Sequence, residues 1–153
     1  MNANFDQTKL TMAQKSNFLP ITAIFYNAWR QRSLTLLSND SFPLAREERL
    51  FFSLCQPKAG EIWLDVGTST GFYAQILAQR DCRVLAADLS PAMLKVASQH
   101  THPLIDWCFL NLEESDLLDA SFDGITVGAT LNETYNAAKM LRELERLLRP
   151  AGR

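Results

Sequence analysis

The chain predicts an α/β fold, a parallel sheet with helices on both faces preceded by an N-terminal helical extension. Three observations carry that prediction. Residues 62–66 form a short run of apolar and β-favouring side chains, as in a strand covered on both sides. Gly67-Thr68-Ser69-Thr70-Gly71 follows at once, a glycine loop that gives way to helical spacing. Beyond it, strand-like and helix-like stretches alternate to the end of the chain, the pattern of parallel strands joined by helical crossovers.

At 153 residues the chain is one domain's worth of sequence, with 47% hydrophobic and 21% charged residues. Fifteen basic and seventeen acidic residues give a net charge of −2. There is no block of like charge, so nothing points to nucleic acid or an anionic membrane. Cys55, Cys82 and Cys108 are far apart and odd in number, which fits buried thiols in a reducing, cytoplasmic compartment. With His100 and His102 as its histidines and no cysteine pair at ligand spacing, the chain offers no metal site. No apolar stretch is long enough for a membrane span, and the first twenty residues lack a secretory pattern.

Residues 1–18 are polar and aperiodic and predict a loose tail. Ile21, Ile24, Phe25, Ala28 and Trp29 recur at helical spacing, so 21–37 predicts an amphipathic helix ended by Ser38-Asn39-Asp40-Ser41. Pro43 suits the first turn of a second helix reaching Cys55. An apolar helix face is normally core, so the extension 1–60 is expected to be a packing layer rather than a lid.

The unit 61–153 then predicts strands at 62–66, 83–87, 105–110 and 124–128, with helices near 71–79, 91–99 and 136–148. Ser90 and Pro91 mark a helix start. Ala137, Met140, Leu141, Leu144, Leu147 and Leu148 line one side of the last helix. Trp63 and Trp107 read as core. Arg149-Pro150-Ala151-Gly152-Arg153 breaks the last helix and leads toward another strand, so a C-terminally truncated domain is expected.

In open parallel sheets ligands bind beyond the carboxyl ends of the strands. The glycine loop, Asp88, Asn111 with Leu112, and 128–132 follow the four strands in turn and converge there. Asp88, at the tip of the second strand, is placed to accept hydrogen bonds from a ribose. The loop lacks the G-x-G-x-x-G of dinucleotide sites, since Ser69 and Phe72 stand at its second and third glycines. No lysine follows Gly71, so it is not a phosphate-binding P-loop either.

Leu64-Asp65-Val66-Gly67-Thr68-Ser69-Thr70-Gly71 resembles the D-x-G-x-G-x-G motif of class I S-adenosylmethionine-dependent methyltransferases. Ala87 to Leu94, Ser121-Phe122-Asp123 and Leu147 to Gly152 resemble later segments of that family, in the same order. The resemblance is to the small-molecule branch, which includes enzymes acting on quinone and other lipid-like precursors. It implies a Rossmann-like sheet of strand order 3-2-1-4 in the part present, the cofactor S-adenosyl-L-methionine, and a small-molecule methyl acceptor. It also implies that Gly67, Thr68, Ser69 and Gly71 pass the methionyl group while Asp65 supports its ammonium. Asp88 would hold the ribose, Leu89 pack on adenine, Asn111 and Leu112 read the adenine edge, and Gly128 lie beside the sulfonium. Two departures stand out: Ser69 replaces the central glycine, and Asn111 stands where many relatives carry aspartate.

Asn132, Glu133 and Tyr135 are the candidates for a general base, needed only if the acceptor must lose a proton. For Glu133 a solvated, helix-leading carboxylate is the plainer expectation. Tyr73 either covers the cofactor or packs in the core. Two other functions compete: a dinucleotide-dependent oxidoreductase domain, disfavoured by the broken glycine fingerprint, and a cofactor-binding piece without activity of its own.

Overall fold

The structure is a computed structural model that describes residues 10–128 and 130–153. Its elements run α1 (Met12–Asn17), α2 (Pro20–Ser38), α3 (Leu44–Cys55), β1 (Ile62–Val66), α4 (Phe72–Ala78), β2 (Arg83–Asp88), α5 (Pro91–Ala97), β3 (Ile105–Phe109), β4 (Gly124–Val127) and α6 (Ala137–Leu147). The four strands are parallel in the order β3-β2-β1-β4, as the resemblance implies.

Alternation along β1 builds two cores. Trp63 joins Ala74, Ile76 and Leu77 of α4, Phe51 of α3 and Val84 of β2 on one face. Leu64 and Val66 join Phe122 and the α6 stripe of Met140, Leu144 and Leu147 on the other. Side chains two apart share a face, so Asp65 falls on the α4 side with Trp63. Leu141, placed on the apolar stripe by periodicity, is 52% exposed at its margin.

The predicted tail departs from expectation. Residues 12–17 form α1, closed by a reciprocal cap in which Gln14 N–H donates to Thr11 Oγ1 and Thr11 N–H donates to Gln14 Oε1. The tail's first nine residues lie outside the described residues.

Helix α2 forms where periodicity placed it and ends on Asn39 in the left-handed conformation. Its orientation is the reverse of expectation. Ile21, Ile24, Phe25 and Trp29 are each more than half exposed, while Ala23 and Ser33 are buried. The cause is polar: Arg30 turns inward to pair with Glu47 of α3, its guanidinium 4.3 Å from the Phe72 ring centroid. That contact fixes the helix's rotation and leaves its apolar stripe outward.

Beyond α6 the chain turns through Ala151 and meets the free edge of β4. Arg153 N–H donates to Asp123 O at 3.2 Å, and Ile125 N–H donates to Arg153 O at 2.8 Å. Arg153 therefore pairs with β4 on the edge away from β1.

Candidate functional site

The glycine loop curls because Gly67, Ser69 and Gly71 all take positive φ, at 64°, 52° and 88°. Gly71 needs its missing side chain, because a Cβ there would come 2.5 Å from the Trp107 ring. The loop's far side is held by Asp65, which is 1% exposed. Asp65 Oδ2 accepts from Thr68 Oγ1 at 2.6 Å and from Ala74 N–H at 3.1 Å, while Oδ1 is buried without a partner. Burial, opposed by those two hydrogen bonds, raises the Asp65 pKa to about 6.

On the near side lies an open cleft at the carboxyl ends of the strands. Gly67, Ser69, Asp88, Leu89, Asn111 and Leu112 all line it. Asp65, Thr68, Gly71 and Gly128 do not: the first two face α4 beneath the loop, and Gly71 is pressed against Trp107. Asp88 is positioned by backbone donors, accepting from Ser69 N–H at 2.8 Å on Oδ2 and from Ser90 N–H at 2.7 Å on Oδ1. Burial raises its pKa against the pull of those bonds. Asn111 Oδ1 accepts from Glu113 N–H at 3.0 Å.

Of the three general-base candidates, Glu133 lines the cleft, while Asn132 and Tyr135 are exposed and do not. Glu133 is half-buried in a turn instead of solvated ahead of a helix, because α1 covers it. Asn17 Nδ2 donates to Glu133 Oε2 at 2.9 Å, and Thr11 Oγ1 donates to Glu133 O at 2.8 Å. Burial is the main cause of its raised pKa. Tyr73 packs on Phe51 at 4.9 Å and donates to Glu47, which makes it a core residue with a polar anchor.

The cleft thus has apolar walls, a carboxylate at the second strand tip and a glycine loop beside it, the chemistry of a nucleoside site. A sequence profile described as a methyltransferase domain matches residues 64–153. The chain belongs to the methyltransferase domain family.

Among curated relatives it is 33% identical over 106 residues to the ubiquinone/menaquinone biosynthesis C-methyltransferase UbiE of Rubrivivax gelatinosus, covering 69% of this chain and 42% of that protein. It is 34% identical over 96 residues to the malonyl-[acyl-carrier protein] O-methyltransferase of Serratia marcescens, covering 61% of this chain and 36% of that one. A solved S-adenosylmethionine-dependent methyltransferase from Aquifex aeolicus superposes with a TM-score of 0.62 at 25% identity, covering 67% and 58%. The chain therefore spans less than half the length of the curated relatives it matches here.

This methyltransferase domain also recruits residues that motif reading missed. Gln14, Asn17 and Phe18 of the α1 segment wall the cleft, as does Glu113. Ser90 Oγ donates to Asn17 O at 2.5 Å, tying α1 to the β2 tip. A signal for α1 was present, since Thr11 and Gln14 stand at capping-box spacing. Thr130 falls in the 128–132 loop expected at the site, and its hydroxyl lies 1.9 Å from where a Cβ on Gly67 would sit.

Proposed function

We propose that this chain binds S-adenosyl-L-methionine in the cleft and, as part of a methyltransferase, serves methyl transfer to a small-molecule acceptor. Asp88 carries the reading: a half-buried carboxylate at the second strand tip, held by two backbone N–H groups, with lone pairs left for a ribose. S-adenosylmethionine, when bound, supplies a methyl group already activated on a sulfonium. The protein's part is then to hold, orient and exclude water. Leu89, Met93, Leu110 and Leu112 give the base an apolar slot, and Asn111 keeps its amide NH2 for the base edge.

Glu133 is our candidate to accept a proton where the acceptor carries one, since its raised pKa makes it a better base than an exposed carboxylate. The relatives' names divide between carbon and oxygen acceptors, which supports a small-molecule class without choosing the atom. We propose residues 1–60 as an extension that helps build the cleft wall and 61–153 as the cofactor-binding unit. Three free thiols support a cytoplasmic setting, and no described helix is long and apolar enough to cross a membrane. A second reading, cofactor binding without turnover, draws on Thr130, whose side chain fills the space above Gly67.

Calorimetric titration with S-adenosylhomocysteine, against NAD, tests the proposal. Saturable binding of the former alone is expected. Asp88→Ala should weaken it by roughly 1.5–3 kcal/mol, the scale for hydrogen bonds to a charged group. A folded wild-type chain that binds neither ligand would sink the reading.

A further inference from the structure

Asn111 stands just past the end of β3 and lines the cleft between Leu110 and Leu112. It also opens a turn. Glu113 N–H donates to its side-chain Oδ1 at 3.0 Å, and Glu114 N–H donates to its backbone O at 3.2 Å. Asn and Asp serve equally well at the head of such a turn, where the side-chain oxygen stands in for a carbonyl.

The turn needs an oxygen at this position and is indifferent to what else the side chain carries, but a ligand is not. An amide has one arm that accepts and one that donates, so an oxygen held by Glu113 N–H leaves the NH2 as the arm for the cleft. A carboxylate bonded in the same way would still offer a second acceptor. Gln14, on the α1 wall of the same cleft, repeats the arrangement: its Oε1 accepts from Thr11 N–H at 2.9 Å, which leaves its NH2 as the remaining arm. The carboxylates nearby are committed elsewhere. Glu113 accepts from Tyr135 N–H at 2.8 Å on one oxygen and from Asn136 N–H at 3.0 Å on the other, and Glu133 accepts from Asn17.

We infer that the base subsite reads its ligand by donation, through the Asn111 NH2, and so takes a 6-oxopurine as readily as a 6-aminopurine. Adenine presents an amino donor at position 6 and an acceptor at N1. The Asn111 NH2 can use N1, but the amino group gains no acceptor from this side chain. Hypoxanthine carries an acceptor, O6, where adenine carries the amino group. Each base satisfies the amide once, and neither is selected. The inference rests on the S-adenosylmethionine reading and names the class of base that its site admits.

The test is calorimetry at neutral pH on the whole chain with two ligands, S-adenosylhomocysteine and S-inosylhomocysteine, which differ only in the amino or oxo group at position 6. Wild type should bind the two within about threefold of each other. Asn111→Asp keeps an oxygen for the turn and replaces the donor by an acceptor, so it should shift the ratio toward the adenosyl ligand by roughly tenfold or more, the scale of one mismatched hydrogen-bond pair. Asn111→Ser also keeps an oxygen for the turn and removes the NH2, and it should weaken the inosyl ligand more than the adenosyl one. Wild type that prefers the adenosyl ligand by tenfold or more overturns the inference and leaves the cofactor reading standing, and that measurement needs no variant to fold. A ratio that neither folded variant moves overturns it as well. Wild type that binds neither ligand overturns both readings.

Discussion

Asp65 keeps one carboxylate oxygen without a partner at 1% exposure, and burial lifts its pKa to about 6. Its unfolded value is near 3.9, so between about pH 4 and 6 the native state holds a proton the unfolded chain has released. Stability from this group is therefore present at low pH and falls as pH rises through that window, by on the order of 2–3 kcal/mol. Asp123 and Glu143, held low by their partners, slope the other way, so the difference from Asp65→Asn isolates it. Urea midpoints from pH 4 to 7 should converge for the two proteins at the acid end and diverge above. A second residue-scale expectation concerns Ser69, which holds a left-handed φ of 52°. A left-handed L-residue costs roughly 1–2 kcal/mol, and glycine gives back up to about 1 in unfolded-chain entropy. Ser69→Gly should raise the thermal midpoint by a degree or more, with the Ser69 N–H bond to Asp88 kept by the backbone. Asp88 was legible because it follows a strand in a parallel sheet. The side on which Asp65 faces needed strand parity, which puts it with Trp63 under α4.

Helix α2 is the element where periodicity and packing part company. Its existence was legible from Ile21, Ile24, Phe25 and Trp29, but its rotation was set by Arg30 reaching Glu47 across sequence, which no local pattern reports. The expected outcome is an inversion of the usual core rule. Ile24→Ser and Trp29→Ser should change stability by no more than about 0.5 kcal/mol, the range for exposed sites. Ala23→Leu, overfilling a buried seam, should cost about 1–3 kcal/mol. Denaturant titration of the three variants separates the two orientations, because an inward-facing Trp29 would make its loss the largest. Helix α1 is the opposite case, legible from Thr11 and Gln14 but masked by the polar run around them. Thr11→Ala removes its cap and its bond to Glu133, at about 1 kcal/mol for the cap. Faster proteolysis between α1 and α2 would report that loss.

At the scale of the whole molecule, the sheet was legible almost strand for strand, because buried parallel strands are short apolar runs and their helices carry caps such as Ser90 and Asn136. The cleft was only half legible. Its floor comes from loops that follow strands, and these obey a topological rule. Its outer wall comes from the first described helix and the turn after β4, brought together by Thr11 and Glu133 across 122 positions. That separation has a consequence in time. On a ribosome, Thr11 is made early and waits for Glu133, so a nascent chain halted before the post-β4 turn owns the floor of the cleft but not its cover. Closure of the nucleoside site therefore waits for the post-β4 turn, and the cleft stays open until that turn has been made.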